Sequence, residues 1–133
     1  MAVLAIGMVT GISGTAHAGG YGCNGNLVYS QDYYGEGAYT NTVVAHVYGY
    51  WDGANNCEVA VKKVFVGQST RTSLQVWSNT DPNSPKDDTG YFSWYAGPVS
   101  VHGIGSCIWD EVAMWDASGN EIAQAHSGAH NCS

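Results

Sequence analysis

The sequence predicts an all-β protein: a small, disulfide-stapled antiparallel β-sandwich, or a partly open barrel, of about seven to eight strands. Three observations lead there. After residue 18 the chain holds two leucines, Leu27 and Leu74, against twelve valines, nine tyrosines and five tryptophans, so strand-forming side chains dominate. Apolar and polar residues alternate with the period of two that a half-buried strand requires. Four widely spaced cysteines, Cys23, Cys57, Cys107 and Cys132, offer cross-links to a domain whose core is modest at this size.

Length and charge bound the function. The chain has 133 residues, a formal net charge of −7 and 11% charged residues, which describes one small acidic domain and excludes an enzyme built around an interdomain cleft. Lys62, Lys63, Arg71 and Lys86 are the whole Lys and Arg complement and form no basic surface. Phosphate binding draws its affinity from clustered cations, so no nucleic acid is expected as a partner.

The elements follow in chain order. Ala2 to Ile12 is almost uninterruptedly apolar and runs into the small-x-small triplet Ala16-His17-Ala18, which reads as a signal peptide over residues 1–18 that is removed on export. The apolar run is far short of the ~20 residues of a spanning helix, so no membrane anchor is expected. No Lys or Arg precedes it, which a signal peptide should have, so a start upstream of Met1 is suspected. Residues 19–133 are then a single β-sandwich domain. Asn41 to Trp51 and Cys57 to Lys62 alternate on either side of Asp52-Gly53-Ala54-Asn55-Asn56 and form the clearest hairpin, with Cys57, Val59 and Val61 on one face. Val64 to Val66 and Leu74 to Trp77 continue as strands. Asn79 to Asp88, with two prolines and three aspartates, reads as a solvated loop. Tyr91 to Tyr95 and Val99 to Val101 flank Ala96-Gly97-Pro98, a strand bend or an edge strand, since proline cannot donate to a central ladder. Cys107 to Trp115 sets Ile108, Asp110, Val112 and Met114 against Trp109, Glu111, Ala113 and Trp115, and a short turn leads into Glu121 to His126.

The cysteine spacing contains no C-x2-C pair, which disfavours a zinc site or a redox motif and favours two disulfides in an oxidising compartment. Three pairings are open. Cys23–Cys57 with Cys107–Cys132 is favoured because each bridge then staples one half of the chain.

Candidate chemistry is sparse. His126-x-x-x-His130, with His46 or His102, is the only arrangement resembling a metal set, but it falls on a strand end and a Gly128-containing tail that give the rings no common face. No cofactor and no metal are expected. The neighbouring acids Asp87-Asp88 and Asp110-Glu111 point to opposite faces of a strand, so neither pair can act across a substrate. Asp81, Asp87 and Asp88 lack the ligand spacing of a calcium loop, and no G-x-S-x-G is present. No catalytic residue is therefore assigned. The aromatic rings exceed what a small core hides. Tyr50, Trp51, Trp94 and Tyr95 are the candidate residues for stacking on a sugar.

The Asp-rich loop, the run Gly90-Tyr91-Phe92-Ser93-Trp94-Tyr95-Ala96-Gly97-Pro98-Val99-Ser100-Val101, the run Gly105-Ser106-Cys107-Ile108-Trp109 and the C-terminal cysteine resemble the small secreted four-cysteine proteins of the streptomycete spore-associated protein A type. That resemblance implies an exported actinomycete protein found at spore or cell surfaces and brings no catalytic residues. The expected function is a secreted, non-catalytic protein of the spore or cell surface. The alternative is a carbohydrate-binding module for cell-wall or extracellular polysaccharide, and the third reading is a small secreted hydrolase or toxin.

Overall fold

A computed structural model describes residues 19–132 and contains two packed antiparallel sheets of four strands each. The signal-peptide reading of residues 1–18 lies outside the described residues. In chain order the strands are β1 (Asn26–Tyr34), β2 (Val43–Trp51), β3 (Asn55–Lys62), β4 (Thr70–Ser78), β5 (Lys86–Phe92), β6 (Tyr95–His102), β7 (Ile108–Trp115) and β8 (Glu121–His126). The first sheet has the order β1-β2-β3-β6 and the second β5-β4-β7-β8, so the architecture is a sandwich and neither sheet closes on itself. No helix among the described residues is long and apolar enough to cross a membrane.

The β2–β3 hairpin forms as the alternation predicts, pairing Val47 with Ala60 and Tyr50 with Cys57. β6 lies at the edge of its sheet, which is where Pro98 can be tolerated. Three local expectations are corrected. β1 has no counterpart in the sequence reading, because an edge strand exposed along most of its length carries no alternation to detect. Val64 to Val66 forms a turn with Val66 half exposed, not a strand. The loop from Asn79 ends sooner, since β5 already begins at Lys86, and Asp81 within it is buried.

The inter-sheet core is apolar at its centre, with Ala45, Val47, Leu74, Val76, Ile108, Val112 and Met114 fully buried. One end is closed by Lys62, whose Nζ donates to the Gln68 carbonyl at 2.7 Å, Thr70 Oγ1 at 2.7 Å and the Phe92 carbonyl at 2.8 Å. These three acceptors satisfy the three protons of the ammonium, which is how a lysine is retained in a core.

The disulfides join Cys23 to Cys57 and Cys107 to Cys132, the pairing favoured from spacing. The two disulfides fit an oxidising environment. Cys57, Val59 and Val61 do share a face, but it is the outer face of the first sheet. The segment before β1 crosses over it, with Cys23 bonded to Cys57 and the Tyr21 ring stacked on Tyr48 at 5.8 Å and edge-on to Tyr95 at 5.1 Å. Val59 is completely buried beneath that cover. Because strand side chains alternate, holding Cys57 outward turns Asn56, Glu58, Ala60 and Lys62 inward between the sheets.

Candidate functional site

The inward-facing polar residues of β3 meet the inward-facing Asp110 of β7. Glu58 pairs with Gly49 in the neighbouring strand, and the missing side chain there leaves room: a Cβ on Gly49 would stand 3.0 Å from Tyr29 Cβ and 3.6 Å from Glu58 Cγ. Glu58 is 0% exposed and Asp110 1%. Both acids are therefore sealed between the sheets.

The C-terminal segment supplies the third member. Beyond β8, Ser127 exchanges bonds with Asp110: its N–H donates to the Asp110 carbonyl at 2.9 Å and its hydroxyl accepts the Asp110 N–H at 2.8 Å. Three residues later His130 pairs with Ile108 in both directions, at 2.8 and 2.9 Å. The tail thus spends one residue more than β7 over this stretch, and that bulge sets His130, not Ala129, across from inward-facing Ile108. Cys132 then anchors the tail to Cys107.

His130 Nε2 lies 2.7 Å from Glu58 Oε2 and 3.6 Å from Asp110 Oδ2. Its Nδ1 donates to the Gly128 carbonyl at 3.1 Å, and its ring stacks on Tyr29 with centroids 3.7 Å apart. Tyr29 donates to Tyr33 at 2.9 Å, and Tyr33 in turn donates to Asp110 Oδ1. Asn131 Nδ2 donates to Asn56 Oδ1 at 3.3 Å. Glu58 Oε1 and Asp110 Oδ2 are buried with no hydrogen-bond partner.

Burial pushes both carboxyls well above the ordinary carboxylate range, and for Asp110 the neighbouring Glu58 charge adds to it. Burial and the Asp110 charge likewise drive the Tyr33 hydroxyl upward, so it stays protonated as a donor. Tyr29, Tyr33 and His130 also line a cleft of about 550 Å³ between β1 and the tail, whose rim carries Gln31, Asp32 and Tyr34. Through His130 and Tyr33 the buried acids adjoin this cleft.

The other histidines are scattered. His46 Nδ1 sits 2.7 Å from Asp32 on the outer face of the first sheet, His126 Nε2 sits 3.2 Å from Glu111 on the outer face of the second, and the His102 backbone N–H donates to Asp81. The i, i+4 pair His126 and His130 shares no face. The neighbouring acids also separate: Asp110 points inward and Glu111 outward, while the partner of Asp110 is Glu58, 52 positions earlier on the opposite sheet.

The four aromatic candidates do not form a row. Tyr50 is 7% exposed beneath the N-terminal segment. Trp51 pairs with Asn56 at one end of β3, whereas the Trp94 carbonyl accepts the Lys62 N–H at the other, about 20 Å away at strand spacing. Tyr95 is partly covered by Tyr21. Trp94 alone stands well exposed.

The uncovered aromatic surface lies on the second sheet. Trp77 and Trp109 are a registered cross-strand pair at one end of its outer face. Six residues along β7, Trp115 carries the Arg71 guanidinium 4.7 Å from its ring centroid, and Tyr91, 72% exposed, pairs with Arg71. Between these ends lie Ser73, Thr89, Gln75, Ala113 and Gln124, together with Asp87, Glu111 and His126 in the row of Gln75. The sequence contained every one of these residues, but which face stays uncovered is decided by where residues 19–24 dock.

No family model, curated protein or solved structure matches the chain. The reading of both sites rests on their geometry.

Proposed function

We propose that the protein is an exported, non-catalytic binding domain that attaches to a neutral polysaccharide of the cell or spore surface through the open face of the β5-β4-β7-β8 sheet. The observation that carries this reading is the pair of aromatic clusters, Trp77 with Trp109 and Trp115 with Arg71 and Tyr91, about 20 Å apart on the outer face of one sheet. Ring faces suit the apolar faces of sugars, and the intervening hydroxyl and amide side chains suit their hydroxyl groups. The actinomycete spore surface is the setting that the four-cysteine resemblance implies. A hydrolase is the weaker reading, because Glu58 and Asp110 expose no surface on which a glycosidic bond could be placed.

The test is co-sedimentation of the protein, residues 19–133 with both disulfides formed, on insoluble chitin, β-glucan and peptidoglycan, with tryptophan fluorescence read against soluble fragments. Retention on at least one polymer, reduced several-fold to about tenfold by Trp109→Ala and by Trp115→Ala, is the expected outcome. Equal retention of the wild type and both variants, or none on any polymer, refutes the platform.

A further inference from the structure

A second site, unrelated to the open sheet face, lies between the sheets. Glu58, Asp110 and His130 each offer one donor atom, and the three donors lie within 4.8 Å of one another. Two carboxyls in a low-dielectric interior either keep their protons or, if ionised, are held by compensating positive charge. The buried Lys62 does not supply it, being committed to Gln68, Thr70 and Phe92.

The imidazole is oriented in a telling way. A carbonyl oxygen only accepts, so the 3.1 Å contact with Gly128 places a proton on His130 Nδ1. Nε2 of the same ring faces Glu58 Oε2 at 2.7 Å and Asp110 Oδ2 at 3.6 Å. These three polar atoms converge on one point, where a proton or a cation balances the two acids. Glu58 Oε1 and Asp110 Oδ2 also make no hydrogen bond, although both residues are almost completely buried.

We propose that Glu58, Asp110 and His130 bind one divalent transition-metal ion of the zinc class. One doubly charged ion neutralises two carboxylates and leaves the imidazole neutral. Donors held about 2.0–2.2 Å from zinc in a tetrahedron stand roughly 3.4 Å apart, and the observed 2.7 and 3.6 Å bracket that spacing. The mixed nitrogen and oxygen set favours such an ion over calcium or magnesium, which take oxygen ligands in larger number or with retained water. The surroundings are those that orient metal ligands: the Gly128 carbonyl on His130 Nδ1, and the Tyr33 hydroxyl, itself bonded by Tyr29, on Asp110 Oδ1. The cleft beside Tyr29, Tyr33 and His130 provides access. An ion there ties β3, β7 and the C-terminal tail together and so cross-links the two sheets.

The experiment is calorimetric titration of chelator-treated protein, disulfides intact, with Zn²⁺ and separately with Ca²⁺, alongside thermal unfolding. One Zn²⁺ per chain, a raised Tm and no comparable response to Ca²⁺ are expected. Glu58→Gln and His130→Gln, checked for folding by circular dichroism, weaken Zn²⁺ binding at least tenfold, while His126→Ala, which removes the surface imidazole beside Glu111, leaves it unchanged. Absence of saturable Zn²⁺ binding by the wild type overturns the proposal and leaves protons as the charge that holds the acids. Binding abolished by His126→Ala but retained in Glu58→Gln and His130→Gln overturns it equally.

Discussion

Glu58 and His130, 72 positions apart in sequence, meet at 2.7 Å between the sheets because two disulfides act on opposite ends of that contact. Cys23–Cys57 holds β3 with Cys57 outward and hence Glu58 inward, and Cys107–Cys132 holds the tail that carries His130. Each covalent link fixes the facing of a residue adjacent or nearly adjacent to it.

Removing the second link tests this directly. The Cys107→Ser, Cys132→Ser double variant loses the closure of a 25-residue separation, worth about 3.5 kcal/mol in the chain-entropy description. Urea unfolding measures the loss, and hydrogen exchange at residues 127–131 reports release of the tail. Unchanged protection of that segment contradicts the anchoring role.

Gly49 is required for space, not for backbone freedom. In Gly49→Ala the new Cβ meets Tyr29 Cβ at 3.0 Å, an atom close to its own backbone and unable to swing away, with Glu58 Cγ and Asn131 Nδ2 at 3.6 Å. Overpacking of this kind costs about 1–3 kcal/mol, more than the few tenths to 1 kcal/mol that alanine recovers in unfolded-state entropy. A variant as stable as the wild type in thermal unfolding contradicts the tight packing.

Lys62 closes its end of the core through polar bonds, so an apolar side chain of similar length does not replace it. Lys62→Met strands the Gln68 and Phe92 carbonyls and the Thr70 hydroxyl, at roughly 1–3 kcal/mol for each buried group left unpaired. Lys63→Met, on the exposed neighbour, changes stability by less than about 0.5 kcal/mol. Chemical denaturation of the two variants side by side separates them, and equal midpoints contradict the assignment.

Asp81 gives the fold a defined acid limit. Its Oδ2 accepts the His102 N–H at 2.9 Å and its Oδ1 accepts the Asn83 N–H at 2.8 Å, which hold the carboxyl below its ordinary range, with Lys86 adding a weaker contribution. A folded-state pKa below the unfolded value of about 3.9 means the unfolded chain takes up the proton first as pH falls. The contribution is therefore fully present above about pH 5 and disappears as pH drops through the folded-state pKa. Asp81→Asn lacks it: the stability gap between wild type and variant is constant from neutral pH down to about pH 5 and narrows below about pH 4. Urea midpoints across that range check the trend, and a gap that widens in acid reverses the sign and refutes it.

Much of the fold was legible along the chain. The Val43–Trp51 and Asn55–Lys62 hairpin and the alternation of β7 follow from period-two patterning, and of the two places open to Pro98, a bend or an edge strand, the structure takes the edge. β1 was not legible because an edge strand that buries only Tyr33 and part of Tyr29 leaves no period-two pattern. Asp110 was visible as an acid on an otherwise apolar face between Ile108 and Val112, a signal that its charge must be answered from elsewhere. What answers it was not visible, because Glu58 sits in a strand whose apolar residues announce the wrong face as the core.

The sequence by itself determined the class of architecture, since leucine scarcity, β-branched and aromatic abundance and strict alternation act locally and need no partner to be read. Only the tertiary structure decided which face of each strand is inside and which aromatic surface stays open. Alternation says that two faces differ without saying which is covered, and here residues 19–24, fastened through Cys23, cover one face of the first sheet and turn Glu58 toward Asp110 and His130.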